Sequence, residues 1–194
     1  MGGVTTYPPG AKENGGIFLH ANPWVMIAET MLGHGDRAYE YYNQINPAAK
    51  NADIDGYECE PYCYAQNILG DEHPQFGLGR NSWLSGTASW TYQAATHYIL
   101  GVRPEINGLR IDPCVPQKWS GFTVRRQFRG CLYDIQVFNP EGVCKGVVAV
   151  KVDGILMEGN LVPLFSDGVS HRVEVVMGAQ VRSAEPRQAA VARA

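Results

Sequence analysis

The sequence predicts an α+β protein with two parts, in which the helices of an incomplete α-helical barrel precede an antiparallel β-sandwich. Apolar residues recur at helical spacing as far as Leu100, whereas they alternate with polar residues further along the chain. The loops between the helices are long and carry polar and aromatic residues, which is typical of one rim of a larger barrel rather than of a bundle. We therefore expect a helical part over residues 1–103, a sandwich over 104–178 and a disordered tail over 179–194.

Four helices are predicted in the first part, over residues 22–32, 36–45, 60–69 and 85–100. Proline stands at the start of the first and third helices, where its missing N–H costs no hydrogen bond. Glycine directly follows the first, third and fourth helices, and glycine readily adopts the left-handed conformation that ends many helices. Asp36 is the predicted cap of the second helix, and Ser85 that of the fourth.

The second part is predicted to form short strands joined by tight turns. Asp153-Gly154 is a strong two-residue hairpin signal, and Ser166-Asp167-Gly168 turns the chain into a last strand. Regularly spaced strands and turns are typical of an antiparallel sandwich. The predicted strands cover residues 122–128, 133–137, 148–152, 155–157 and 172–176.

Composition narrows the class of protein. The 194 residues are 45% hydrophobic and 18% charged, and the formal net charge of −3 disfavours a general nucleic-acid or anionic-membrane binder. The sequence shows no secretory leader and no apolar run long enough to span a bilayer. Five cysteines cannot all pair internally, so we expect reduced thiols in a cytoplasmic protein. Cys59 and Cys63 flank Pro61 without a second ligand pair nearby, so we expect no metal site.

Several polar positions beside predicted helices are candidates for binding chemistry. Ser85 and Gly86 start the fourth helix, where free N–H groups, a hydroxyl and the lack of a Cβ suit an anion. His20 directly precedes the first helix, and Gln66 lies on the apolar third one. Each also has an ordinary structural explanation, as a cap, a core histidine or a buried amide bonded to backbone.

A charged loop and the order of several motifs add to these candidates. Lys12 and Glu13 are adjacent charges between two glycine-rich turns, although solvated surface is the ordinary alternative. The chain carries, in this order, Lys12-Glu13-Asn14-Gly15-Gly16-Ile17-Phe18, His20, Asn22-Pro23-Trp24, Glu60-Pro61-Tyr62, Tyr64-Ala65-Gln66, Asn81-Ser82-Trp83-Leu84-Ser85-Gly86-Thr87-Ala88-Ser89-Trp90 and Leu109-Arg110-Ile111-Asp112-Pro113-Cys114. Over about residues 7–178 the chain resembles the C-terminal portion of family 94 glycoside phosphorylases, the family of the cellobiose and N,N′-diacetylchitobiose phosphorylases.

The resemblance implies an (α/α)6 barrel followed by a C-terminal β-sandwich of jelly-roll type. It also implies reversible, inverting phosphorolysis of a β-linked disaccharide, which gives an α-sugar 1-phosphate and a free sugar. Inorganic phosphate is then the co-substrate, and neither a metal nor another cofactor is implied. The positions that match the family's phosphate site are His20, Gln66, Ser85 and Gly86. Those that match its acceptor-sugar site are Lys12, Glu13 and, by its place in the same loop, Tyr7.

The family's general-acid aspartate lies upstream of the lysine-glutamate motif, and no aspartate of this chain has the matching context. We therefore assign no catalytic residue and expect an inactive C-terminal segment. Its expected partners are the disaccharide, phosphate and the missing N-terminal part of the enzyme. Similar family members are commonly dimers, so a second copy of the chain is a further expected partner. The alternatives are a stand-alone carbohydrate-binding or assembly module and a fragment of an (α/α)6 hydrolase. The hydrolase is disfavoured because it needs a carboxylate base, whereas the matched positions offer His, Gln and Ser.

Overall fold

The computed structural model describes residues 2–179, so the predicted tail over 179–194 lies outside the described residues apart from Ala179. Helices come first and strands dominate after residue 102, as the sequence predicts. The α-helices in this range are α1 Asn22–Leu32, α2 Gly35–Ile45, α3 Ile54–Tyr57 and α4 Thr87–Gln93. A π-helical segment, Ala94–Ile99, continues α4, and 3₁₀ segments cover Gly3–Thr6, Leu19–Ala21 and Pro47–Asp53.

The first two predicted helices are confirmed, but the predicted cap of the second is wrong, because α2 begins at Gly35 and Asp36 lies inside its first turn. Pro23 lies in the first turn of α1, and Gly33 ends this helix in the left-handed conformation, with a φ of 84°. Met26 of α1 and Ile45 of α2 are buried in the same hydrophobic cluster. The two helices therefore pack against each other through this cluster, which fixes the position of α1.

The third predicted helix is wrong. The chain at residues 60–69 is not helical, and every second residue from 63 to 69 is buried, which is the period of an extended chain. The Gln66 N–H donates to the carbonyl of Arg80, at 3.0 Å, instead of to a carbonyl one helical turn back. Neighbouring segments thus satisfy this backbone without a helix. The result is a small antiparallel sheet, in which β2 Asn67–Ile68 lies between β1 Ile17–Phe18 and β3 Gly79–Arg80.

The fourth predicted helix is confirmed with a later start. It begins at Thr87, and Ser85 stands before it with its hydroxyl accepting a hydrogen bond from the Thr87 N–H at 3.0 Å. Gly101 follows the π-helical segment with a φ of 67°. A Cβ atom at Gly101 would lie 2.2 Å from the carbonyl carbon of Asp112, so the glycine allows both the turn and a close backbone approach.

The strands of the second part form two sheets. The Asp153-Gly154 hairpin is confirmed, since Val152 and Ile155 pair across it. The prediction of a wholly antiparallel arrangement is wrong, because β11 Ser170–Met177 and β7 Cys131–Phe138 pair in parallel. A long connection joins these two strands, as parallel pairing requires. One sheet has the order β10 Leu161–Pro163, β5 Gly108–Ile111, β4 Val102–Glu105. The other has the order β6 Gly121–Phe128, β7 Cys131–Phe138, β11 Ser170–Met177, β8 Val147–Val152, β9 Ile155–Leu156.

Both sheets share one hydrophobic core with α2 and the π-helical segment. Leu109 of the three-stranded sheet and Val175 of the five-stranded sheet are fully buried in it, together with Ala38 of α2. Polar contacts join the same parts, since Lys145 Nζ donates to the Thr30 carbonyl of α1 at 3.1 Å. Contacts from α1 and α2 therefore join the helical part to the β part.

Candidate functional site

The loop that carries Lys12 is bent and tied to itself. Lys12 has a φ of 47°, and its carbonyl accepts a hydrogen bond from the Gly16 N–H at 2.8 Å. A Cβ atom at Gly16 would lie 2.5 Å from the Lys12 nitrogen, so only glycine fits this turn. Asn14 Nδ2 donates to the Tyr7 carbonyl at 2.8 Å. The structure thus brings Tyr7 and Lys12 into one compact loop, with the exposed Glu13 between Lys12 and Asn14.

Gln66 connects this loop to the residues before α4. Its Oε1 accepts two hydrogen bonds of 3.1 Å, one from Lys12 Nζ and one from Asn81 Nδ2. Its Nε2 donates to the carbonyl of Leu84 at 2.9 Å. An amide nitrogen has two hydrogens, so this contact leaves one N–H of Gln66 for another acceptor. The position of Gln66 beside Ser85 comes from an extended segment, and not from the helix that its spacing predicts.

Backbone and ring contacts connect His20 indirectly to Gln66 and to α4. The N–H of its neighbour Leu19 donates to the Gln66 carbonyl at 3.0 Å. The His20 ring makes an edge contact with Trp24 on α1, at 5.9 Å between centroids, and Trp24 in turn makes one with Trp90 on α4, at 5.6 Å. The structure therefore links His20 both to Gln66 and to the first turns of α4.

The start of α4 is polar and open. Ser85 Oγ lies 2.5 Å from Thr87 Oγ1 and accepts the Thr87 N–H, so its oxygen is already engaged by its own helix. Gly86 is exposed, and a Cβ atom there would meet only Trp90 Cδ1, at 3.7 Å. Gly86, and not Ser85 as the sequence predicts, occupies the cap position of α4, although the Ser85 hydroxyl accepts the first N–H of this helix. No backbone contact demands glycine at position 86.

Two residues near Gln66 were not assigned a role from the sequence. Asn81 and Trp83 both lie in the left-handed region, with φ of 55° and 72°. Trp83 Nε1 donates to Glu60 Oε1 at 2.9 Å, and this hydrogen bond lowers the pKa of the Glu60 carboxyl. Strained backbone of this kind is frequent at binding sites. The signal available in the sequence was Asn81 itself, because asparagine is enriched at positive φ.

Comparison with known proteins agrees with this assembly of motifs. A model of the glycosyl hydrolase 94 superfamily catalytic domain matches residues 1–101, which is more than half of the chain. The chain belongs to this superfamily. A model of the glycosyl hydrolase family 65 C-terminal domain matches residues 102–144 of this family 94 chain. The resemblance drawn from the motifs is thereby confirmed.

Similar proteins of the superfamily are disaccharide phosphorylases. The N,N′-diacetylchitobiose phosphorylase of Vibrio proteolyticus is 46% identical over 178 residues, and that of Vibrio furnissii is 45% identical over 179. Each match covers 92% of this chain and 22% of the relative. The solabiose phosphorylase of Paenibacillus borealis is 33% identical over 91% of this chain and 23% of its own length. This family 94 chain thus spans about a fifth of the relatives that it matches.

Between residues 2 and 179, no helix has both the length and the apolar character that a bilayer crossing requires.

Proposed function

We propose that this chain is the C-terminal segment of an inverting β-disaccharide phosphorylase and supplies its phosphate site and part of its acceptor-sugar site. One observation carries the proposal. Gln66 hydrogen-bonds both Lys12 of the acceptor loop and Leu84 at the approach to α4, so the two subsites share one amide. The family membership and the phosphorylase relatives support the same reading.

The proposed phosphate site uses donors that are neutral or only partly charged. In this proposal, phosphate lies at the start of α4, where the peptide dipoles favour an anion. It is bound there by the free N–H of Gln66, the His20 ring, the Ser85 hydroxyl and the Gly86 N–H. Among the described residues, the hydrogen bonds of Gln66, Lys12 and Asn81 include no carboxylate. A carboxylate there would repel phosphate and would instead activate water. The polar groups of this site therefore favour phosphorolysis over hydrolysis.

The proposed acceptor site is the loop of Tyr7, Lys12 and Glu13. Sugar hydroxyls need paired donors and acceptors, which an ammonium and a carboxylate provide. In the complete enzyme, a carboxylic acid outside this chain protonates the glycosidic oxygen as that bond breaks. A phosphate oxygen attacks the anomeric carbon from the opposite face, which inverts its configuration and gives the α-sugar 1-phosphate. Phosphate is the co-substrate in this scheme, and the enzyme is cytoplasmic.

A chimera tests the proposal. This chain replaces the matching 178 residues of the Vibrio proteolyticus relative, and the release of sugar 1-phosphate from N,N′-diacetylchitobiose and phosphate is measured. We expect turnover by the chimera and none by the 194-residue chain alone, because the loss of a positioned general acid costs about 10²- to 10⁴-fold. A chimera that folds, as judged by circular dichroism, yet shows no phosphate-dependent turnover overturns the proposal.

Point variants of the chimera then test the phosphate site. Gln66→Ala and His20→Ala should raise the KM for phosphate by about tenfold or more, with a much smaller change in the KM for disaccharide at saturating phosphate. Gln93→Ala, an exposed glutamine of α4, is the matched control and should leave both values unchanged. A loss of disaccharide affinity with an unchanged phosphate KM would place Gln66 and His20 on the sugar.

A further inference from the structure

The five-stranded sheet brings together three side chains that the sequence spacing does not. Cys131 begins β7, His171 is the second residue of the neighbouring β11, and Asp167 lies in the turn before β11. One ligand atom from each, a thiol sulfur, a carboxylate oxygen and an imidazole nitrogen, lies within 4.8 Å of the others. The sequence alone indicates no metal-ligand cluster here, because Cys131 and Asp167 are 36 residues apart. The parallel pairing of β7 and β11, also unpredicted, creates the cluster.

The spacing of these atoms matches the edges of a tetrahedral zinc site. Asp167 Oδ1 lies 3.1 Å from His171 Nε2 and 3.4 Å from Cys131 Sγ. Zinc bond lengths of about 2.0–2.3 Å at tetrahedral angles put an N–O edge at about 3.4 Å and an S–O edge at about 3.6 Å. The two edges that end at Asp167 are therefore within a few tenths of an ångström of those of a zinc site, and the third edge, between Cys131 and His171, is at most 4.8 Å.

The surroundings orient the histidine for this role. Asp153 Oδ2 lies 2.8 Å from His171 Nδ1, and Asp153 Oδ1 accepts the Arg172 N–H at 2.8 Å, so this carboxylate is itself fixed. A carboxylate on one ring nitrogen keeps the proton there and leaves the lone pair of the other nitrogen for a metal. Phe165 stacks on the His171 ring at 3.8 Å between centroids, which fixes the ring plane.

Burial and charge point to the same kind of ion. Cys131 and His171 are buried, whereas the side chain of Asp167 is half-exposed, so the site is closed inside and open to a water molecule outside. A thiolate and a carboxylate together balance the charge of a divalent cation. A sulfur, nitrogen and oxygen donor set suits zinc, whereas calcium and magnesium take oxygen ligands.

We propose that Cys131, Asp167 and His171 bind a zinc ion, with Asp153 as the hydrogen-bonded support of His171. Binding replaces the thiol proton of Cys131 and, where the ring of His171 is doubly protonated, the proton on its Nε2. These protons leave to solvent as the sulfur and nitrogen bond the metal. The ion joins the starts of β7 and β11 to the turn between β10 and β11. It lies in the β part and takes no part in the proposed phosphorolysis.

Cobalt titration of the full 194-residue chain, after chelator treatment, tests the site. We expect one equivalent to give the visible bands of tetrahedral cobalt and a near-ultraviolet thiolate-to-cobalt band, and zinc to displace it. Cys131→Ser should abolish the thiolate band, whereas Cys144→Ser, a half-buried cysteine outside the cluster, should keep it. Asp153→Asn, at a half-exposed side chain, should weaken cobalt affinity by about 10- to 100-fold with the fold retained. The proposal is overturned if no thiolate band appears, or if the band persists in Cys131→Ser or disappears in Cys144→Ser. An unchanged cobalt affinity in folded Asp153→Asn overturns the role of Asp153.

Discussion

The ammonium of Lys12 donates to Gln66 Oε1 across 3.1 Å, although the two residues are 54 positions apart in the chain. A positive donor on the amide oxygen draws electron density from the amide, which makes the Nε2 hydrogens better donors. The contact thereby couples the loop proposed to hold the acceptor sugar to the residue proposed to hold phosphate.

Replacement of Lys12 by methionine should therefore affect both substrates. In the chimera, Lys12→Met removes a hydrogen bond from a charged donor, worth about 1.5–3 kcal/mol, so kcat/KM should fall by about 10- to 100-fold. We expect the KM for phosphate and that for disaccharide both to rise. Lys118→Met, at an exposed lysine, is the control and should behave as the unmodified chimera. A change confined to one substrate in steady-state kinetics would contradict the coupling.

The contact between Glu60 and Trp83 should depend on pH. The hydrogen bond from the Trp83 indole lowers the pKa of Glu60 below its ordinary value of 4.5, so the ionised carboxylate is the form that the fold favours. The stabilisation is fully present above this ordinary value and is lost as the pH falls through the lowered pKa. The Trp83 indole N–H resonance in NMR spectra should shift on acidification through that range.

Two glutamate variants isolate this effect. Glu60→Gln keeps an acceptor oxygen but removes the ionisation, so the pH-dependent step in the Trp83 resonance should disappear. Glu58→Gln, at an exposed neighbour, should keep it. A Trp83 titration that is the same in both variants would show that another group causes the step.

Gly101 and Gly130 offer a matched pair for stability. Both have positive φ, of 67° and 89°, but a Cβ atom at Gly101 would meet the Asp112 backbone at 2.2 Å, whereas one at Gly130 would meet nothing within 4 Å. Gly130→Ala should cost about 1–2 kcal/mol from backbone conformation alone. Gly101→Ala carries the same cost and must also displace Asp112, so its unfolding midpoint in urea should fall clearly further. Equal midpoints would contradict the close approach.

The sequence predicts elements that local signals define. Pro23 and Gly33 delimit α1, and Asp153-Gly154 determines a hairpin, because each signal acts within a few residues of itself. The prediction for the segment around Gln66 was wrong because its apolar residues fit both a helical period and a period of two. Only its neighbours, β1 and β3, decide between them, and these lie far away in the chain.

For the candidate site as well, local motifs were predictable from the sequence, whereas contacts between distant segments were not. The order of motifs identified Lys12, Gln66 and Ser85 as a set, but no spacing reveals that Lys12 and Gln66 are hydrogen-bonded. The parallel pairing that places His171 beside Cys131 is likewise a property of the sheet, since it depends on the connection between β7 and β11. Contacts of this kind arise from tertiary structure, which single-sequence patterns do not contain.

Helix α1 is apolar on the face that it turns away from the protein. Its exposed residues include Met31 and Leu32, whose exposures are 72% and 70%, whereas Met26 on the other side is buried. The whole exposed stripe has helical spacing, namely Trp24, Val25, Ala28, Met31 and Leu32. A helix that is apolar on both faces normally lies inside a larger protein, and an exposed apolar patch of this kind promotes association. The relatives are between four and five times as long as the segment matched, so we expect the rest of the proposed enzyme to cover this stripe.

The double variant Val25→Lys with Leu32→Lys tests that role in two settings. In the 194-residue chain, it should reduce concentration-dependent association in sedimentation and weaken the binding of a hydrophobic dye, because two charges interrupt the stripe. In the chimera, the same change should lower activity and stability if the charges are then buried against the rest of the proposed enzyme. The control Ile155→Lys with Leu156→Lys alters the exposed β9. It should change neither the association of the 194-residue chain nor the activity of the chimera. A chimera that tolerates the α1 variant would show that this face of α1 stays exposed to solvent in the complete enzyme.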